Sequence, residues 1–386
     1  MPVSAPTKSQ TDAKSLGRHR SSNGPLEILL PLEEELHACI TMEVKELEDR
    51  ITEHPTLKPA WQVLKAFLRR PGKRVRPSLF LLSYSMFDGR KAPPPRAAFR
   101  VAGALEIFHA FALVHDDLID CSDSRRGKPT LHRGLEANVT SCARNAESLA
   151  LVLGDILFGF AMECFLDPDL PGPPSQTAMR YFLRIAQETG IGQAAEISML
   201  DQTLGDVREA DILRTYHLKT TRYTVECPLV LGAILAGGSH EAQSDLKSFA
   251  SPLGLAFQME NDLHEVELLP DVAPELAYDF RCGVKTLAIK RLHDALPTKK
   301  RQILVESLKV ADTPEGVTRL AKLVEDSGII KELRQEIRQH FMEARKTLQE
   351  SSLPQAQVAF LESVVSFIQK NRHHSESVEV PSAQSA

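Results

Sequence analysis

Apolar residues recur at three- and four-residue spacing along most of the chain, the period that lines one face of a helix. The pattern predicts helices at 26–50, 57–69, 75–87, 97–121, 136–165, 175–198, 208–237, 241–268, 283–295, 299–308, 315–345 and 353–369. KAPPPR at 91–96 and DPDLPGPPS at 167–175 interrupt it, because proline lacks the amide donor and clashes with the preceding turn. No repeat of 20–50 residues is evident, and no long alternating pattern argues for strands. An all-α chain with a single domain over 25–370 is expected. The polar stretches 1–24 and 371–386, the second containing His373 and His374, are expected to be disordered tails.

With 386 residues, 42% of them hydrophobic, the chain can bury a large core. A net charge of −5 and a pI near 6.2 give no reason to expect nucleic acid as a partner. The apolar run Leu149 to Phe165 is cut by Asp155 and Glu163, so no integral membrane segment is expected. The N-terminal stretch lacks the apolar core of a secretory signal, which points to the cytoplasm. Cys39, Cys121, Cys142, Cys164, Cys227 and Cys282 show no paired spacing and read as reduced thiols.

Two acidic clusters stand out, HDDLIDCSD at 115–123 and QMENDLHE at 258–265. Residues four apart share a helix face, so Asp116 and Asp120 point at one target. They follow the apolar stretch Ile107 to Val114, where crowded carboxylates need a compensating cation, and magnesium suits oxygen ligands of this kind. Basic residues supply a complementary half: Lys73, Arg74 and Arg76 at a helix start, and Arg125 and Arg126 after the first cluster. Together they favour a substrate that carries diphosphate on an apolar body.

The chain resembles the trans-isoprenyl diphosphate synthases of the polyprenyl synthetase family, most nearly those making geranylgeranyl or farnesyl diphosphate. The likeness spans roughly residues 55–290 and rests on an ordered set: GKRVRP at 72–77, HAFALVHDDLID at 109–120, RRGKPT at 125–130, GD at 154–155, GQAAE at 192–196, KTTRYTVECPL at 219–229 and LGLAFQMENDL at 253–263. It implies the isoprenoid synthase fold, an antiparallel helical bundle around a deep apolar central cavity, commonly as a homodimer. It implies that isopentenyl diphosphate is condensed with an allylic diphosphate, with three Mg2+ ions in the closed complex and Mn2+ as a substitute. Asp116 and Asp120 would then hold metal, with Asp117 supporting them. Lys73, Arg76, His109 and Arg126 match the group that binds isopentenyl diphosphate. Arg125, Lys219 and Lys285 would face the allylic diphosphate, Thr220 and Gln258 the reaction centre, and Phe257 the homoallylic substrate.

The second cluster departs from the family pattern. Asn261 stands where an aspartate is usual, offering a neutral oxygen, so metal binding there falls to Asn261, Asp262 and Glu265. In the following loop Val284 replaces the usual lysine and Lys285 is its neighbour. Phe111, five residues before Asp116, is expected to form the cavity floor beside the small Ala112, with Phe108 one turn deeper; C20 is the first product expected and C15 the second. Two alternatives stay open: cyclisation or prenyl transfer to another acceptor, and a non-catalytic regulatory or binding subunit.

Overall fold

In the computed structural model, residues 30–89, 93–125, 127–269 and 278–370 are described. The expected tails with His373 and His374, the start of the first helix, Arg126, and part of the loop after the second acidic cluster lie outside them. Helices dominate: α1 (Leu30–Thr52), α2 (Lys58–Leu68), α3 (Val75–Phe87), α4 (Arg96–Ile119), α5 (Leu131–Asn138), α6 (Ala143–Cys164), α7 (Gly172–Leu200), α8 (Glu209–Tyr216), α9 (Cys227–Leu235), α10 (His240–Leu268), α11 (Tyr278–Cys282), α12 (Leu287–Ala295), α13 (Thr298–Leu308), α14 (Pro314–Ser327), α15 (Ile329–Gln349) and α16 (Gln355–Lys370). The strands among the described residues are β1 (Ser124–Arg125) and β2 (Lys128–Pro129), an antiparallel hairpin that turns at Gly127 with φ of 68°.

The principal packing partners are α10 with α15, α4 with α6 and α3 with α9. These helices carry fully buried side chains, among them Phe80, Phe108, Phe249 and Phe341. Trp61 is 0% exposed and belongs to the core of its own chain. α1 is fastened to α4 by an ionic knot: Arg100 Nε meets the buried Glu43 at 2.9 Å and its Nη1 meets Asp167 at 2.9 Å. Two opposite charges with several hydrogen bonds offset the desolvation that an isolated charge would suffer there.

Four elements differ from the sequence-based expectation. The helix expected over 136–165 is two, α5 and α6, because the chain leaves helical geometry between Val139 and Cys142. The helix expected over 315–345 breaks at Gly328, whose φ of 72° is left-handed and suits glycine at a helix end. The helix expected from 283 begins at Leu287, where the Thr286 hydroxyl accepts the Ile289 amide at 3.3 Å. Between α8 and α9, residues His217–Glu226 are wound as a π-helix. Pro228 follows directly, and widening the preceding turns accommodates a residue that has no amide to donate.

α4 is long and apolar enough to cross a membrane by length and composition, which the sequence reading missed by considering α6 alone. Of its most apolar window 67% is buried among the other helices, the state of a core helix.

Candidate active site

The last turn of α4 carries the first acidic cluster. The Asp120 amide donates to the Asp116 carbonyl at 2.9 Å, and the chain then turns through Cys121, with φ of 52°, so that the Ser122 amide reaches the Asp117 carbonyl at 2.9 Å. The hairpin folds back from there and is anchored by the Thr130 hydroxyl on the Ser122 carbonyl at 2.8 Å. That return brings Arg125 onto the acids it follows. Its Nε donates to Asp117 Oδ1 at 2.6 Å and its Nη2 to Asp116 Oδ2 at 3.2 Å. Asp117 is fully buried, and burial pushes its carboxyl up to about 6 against the opposing pull of Arg125. Its Oδ2 has no hydrogen-bond partner among the described residues.

Lys219 arrives from the π-helical segment, 103 positions further along the chain. Its Nζ donates to Glu196 of α7 and lies 3.4 Å from Asp116 Oδ1. Burial alone would lower its pKa, yet Asp116 and Glu196 more than reverse this and hold the ammonium charged. Two glycines permit the approach. A Cβ on Gly192 would fall 2.7 Å from the Lys219 amide nitrogen, and one on Gly254 of α10 would fall 2.5 Å from Thr221 Cγ2. Arg222 ties the segment to α7 through Glu188, and Tyr181 of α7 donates to Glu226 at 2.7 Å.

The second cluster is organised differently. Asn261 is exposed, whereas Asp262 is buried with both oxygens engaged: the Tyr216 hydroxyl donates to Oδ2, and Gln258 Nε2 donates to Oδ1 at 2.9 Å. Tyr216 in turn accepts the Leu287 amide at 2.7 Å. Glu265 receives the Asp279 amide at 2.5 Å. Burial, then mutual repulsion with Asp279, raises Glu265 to about 10, and burial with the same neighbour raises Asp262 to about 8. Asp279 itself is raised to about 6, chiefly by burial, and feels Glu196, Lys219 and Asp116. Its carboxyl thus feels charges belonging to both clusters. Lys285 donates to its own loop, at the Gly283 carbonyl, 2.8 Å away, and burial lowers its pKa.

Of the other expected anion ligands, Arg76 and His109 meet around Tyr223. The Arg76 guanidinium lies 4.3 Å from that ring's centroid and donates to the Thr224 hydroxyl at 2.8 Å, while its buried Nε has no hydrogen-bond partner among the described residues. The His109 and Tyr223 ring centroids are 6.2 Å apart. Lys73 is exposed ahead of α3; its neighbour Arg74 is instead committed to Glu106. Below the acids, His109 to Leu113 are all half-buried, although the preceding turns of α4 are nearly all buried. Leu218 to Thr220, Phe257 and Gln258 are half-buried as well. The side chains below the acids form an aromatic cluster: Phe111 lies 5.2 Å from Phe108 and 5.3 Å from Phe158, and Phe108 lies 5.0 Å from Phe182.

The model of the polyprenyl synthetase family matches residues 58–326, which contain every element of this site. The chain belongs to that family. It is 30% identical over 268 residues to geranylfarnesyl diphosphate synthase of Aeropyrum pernix, covering 68% of this chain and 78% of that protein. It is 31% identical over 253 residues to geranylgeranyl pyrophosphate synthase 7 of Arabidopsis thaliana, covering 61% and 68%. Its fold matches the crystal structure of geranylgeranyl pyrophosphate synthase from Corynebacterium glutamicum, complexed with isoprenyl diphosphate and magnesium, with a TM-score of 0.78 over 87% of this chain and 98% of that one, at 24% identity. The all-α bundle is thus the isoprenoid synthase fold.

A polyprenyl synthetase requires magnesium, and the two clusters fit it unequally. Among the described residues no three acidic, histidine or cysteine side chains are grouped to hold a metal ion by themselves. Magnesium usually takes only one or two carboxylates and completes its shell with phosphate and water. The carboxylate of Asp116, already facing two cations, meets that requirement with Asp120 one turn on. At the second cluster Asn261 brings no charge, and Asp262 and Glu265 are both engaged. Sequence reasoning missed Tyr216 and Asp279 in this family site. Asp279 stood four residues before Gly283 in the loop and was readable as an acid; nothing local marked Tyr216.

Proposed function

We propose that the chain is a magnesium-dependent trans-prenyltransferase that condenses isopentenyl diphosphate with dimethylallyl, geranyl or farnesyl diphosphate. Its product is a short all-trans diphosphate, C20 before C15, released with pyrophosphate. One observation carries this reading: Asp116, Arg125 and Lys219, from three separate elements, converge at the end of the apolar helix α4.

Asp116 and Asp120 would hold magnesium, three ions being expected with both substrates bound and manganese as a substitute, and the metal would supply positive charge for the departing pyrophosphate. Arg125 and Lys219 are the protein's own cations for the allylic diphosphate; Asp117 braces Arg125. Lys73, Arg76, His109 and Arg126 receive isopentenyl diphosphate, and the unpartnered Nε of Arg76 supports that role. As the allylic carbon–oxygen bond breaks, its electron pair leaves with pyrophosphate. The alkene of isopentenyl diphosphate attacks the allyl cation, and pyrophosphate takes the proton then lost. Thr220 and Gln258 line this centre, Phe257 packs on the homoallylic chain, and the apolar wall keeps water from the cation. Metal at Asn261, Asp262 and Glu265 requires these groups to exchange partners, and Lys285 reaches the allylic diphosphate only on leaving the Gly283 carbonyl.

Residues 25–370 form one catalytic unit in this reading, in a cytoplasmic homodimer. Leu151 and Val152 on α6 and Ile191 on α7, 47%, 53% and 58% exposed, are apolar side chains suited to a subunit contact. A second reading, a non-catalytic subunit, draws on the engaged Asp262, the uncharged Asn261 and the self-bonded Lys285. The deciding assay supplies isopentenyl diphosphate with each allylic starter, with and without magnesium, and resolves products by mass. Linear products one or more C5 units longer than the starter support elongation. Absence of turnover with every starter supports the second reading, and pyrophosphate release without elongation overturns both.

A further inference from the structure

Phe111 does not hold its position by its own helix alone. One turn on, His115 lays its imidazole against the Phe111 ring at a centroid distance of 4.6 Å. The imidazole occupies a notch in α6 that exists because residue 154 is glycine: a Cβ there would fall 2.5 Å from His115 Nε2 and 2.6 Å from Cδ2. Polar contacts fix it in the notch. Nε2 lies 3.3 Å from the Leu151 carbonyl oxygen and 3.6 Å from Asp155 Oδ1. Phe158, one turn beyond Gly154 on α6, also packs against Phe111, at 5.3 Å.

The Phe111 ring thus packs against three side chains, His115 one turn on along α4, Phe158 on α6 and Phe108 at 5.2 Å. A phenylalanine in a helix has two open χ1 wells, so what occupies the neighbouring space decides which it takes. His115 is the neighbour on the side of the acidic cluster, and its polar contacts run to α6. Removing the imidazole opens a ring-sized void beside Phe111 into which the phenyl can turn.

We propose that His115 is a specificity-determining positioning residue: seated over Gly154, it holds the Phe111 ring in place and so sets the length at which the growing chain stops. This rests on Phe111 being the floor, and the test separates the two statements. Product lengths are compared for the wild-type protein and the Phe111→Ala, His115→Ala, His115→Phe, Gly154→Ala and Phe111→Ala/His115→Ala variants, each checked for native helicity. Phe111→Ala lengthens the product. His115→Ala raises the ratio of longer to shorter product by about tenfold, the scale of discrimination set by a small change in an apolar pocket. His115→Phe, which keeps a ring against Phe111, restores the shorter product, and Gly154→Ala, which expels the imidazole, mimics His115→Ala. In the double variant His115→Ala adds nothing, because the group it positions is gone.

Wild-type lengths in His115→Ala and Gly154→Ala, alongside longer products in Phe111→Ala, overturn the role of His115 and leave the floor standing. An additive effect in the double variant overturns it equally. Unchanged lengths in Phe111→Ala overturn the floor itself and the inference with it. Should His115→Ala not fold, Gly154→Ala and His115→Phe carry the same comparison.

Discussion

Asp116 is the residue on which the separate parts of the site meet, since Arg125 and Lys219 both address its carboxylate. Asp116→Ala should lower kcat by at least about 100-fold, the usual order for one preorganised electrostatic group, while helicity is kept; near-normal turnover would sink its role. Asp262 leads to a pH prediction. Its carboxyl is raised to about 8, so the folded chain retains a proton that the unfolded chain, with an ordinary value near 4, has released. Stability therefore falls as pH rises toward 8. Buried His132 and half-buried His217, whose pKa values desolvation lowers, act oppositely below about 6.5. Between pH 6.5 and 8 the metal-free protein should lose on the order of 1–2 kcal/mol more than Asp262→Asn does, as read from urea midpoints; equal slopes would show that the proton is not held there. Asp116, Asp120 and Arg125 were legible because they lie within one short stretch, whereas the partners of Asp262 come from positions 216 and 258, one of them beyond any local pattern.

At the scale of elements, the π-helical segment is the part that sequence periodicity described least well. Its apolar spacing passes for α-helix, yet it carries Lys219 to Asp116 and Glu196 and Arg222 to Glu188, so that both cations fasten the segment to α7. The segment lies between α7 and α10, and both approach it through glycine. Gly192→Ala should force the Lys219 backbone outward, costing about 1–3 kcal/mol in stability as overpacking does and reducing turnover in the same protein. A variant with wild-type melting and activity would show that α7 can yield without disturbing Lys219. The breaks at 139–142 and Gly328 were illegible for a related reason: apolar residues on both sides keep helical spacing, and a left-handed glycine leaves little trace in such a pattern.

At the scale of the whole molecule, Leu151 and Val152 on α6 and Ile191 on α7 are presented outward from the bundle. If these make the subunit contact, replacing Leu151 and Val152 together by aspartate should halve the mass seen by sedimentation without altering helicity, and an unchanged mass would move the contact elsewhere. What the sequence determined by itself was the all-helical class, the family and the acids and bases of the first cluster. Those properties reside in local spacing and in ordered motifs, which a linear string preserves. Tertiary structure alone decided that Asp262 spends its oxygens on Tyr216 and Gln258, and that His115 enters the notch at Gly154. Each of these depends on the relative placement of helices far apart in the chain, fixed by how their side chains pack and not by the periodicity of any one of them.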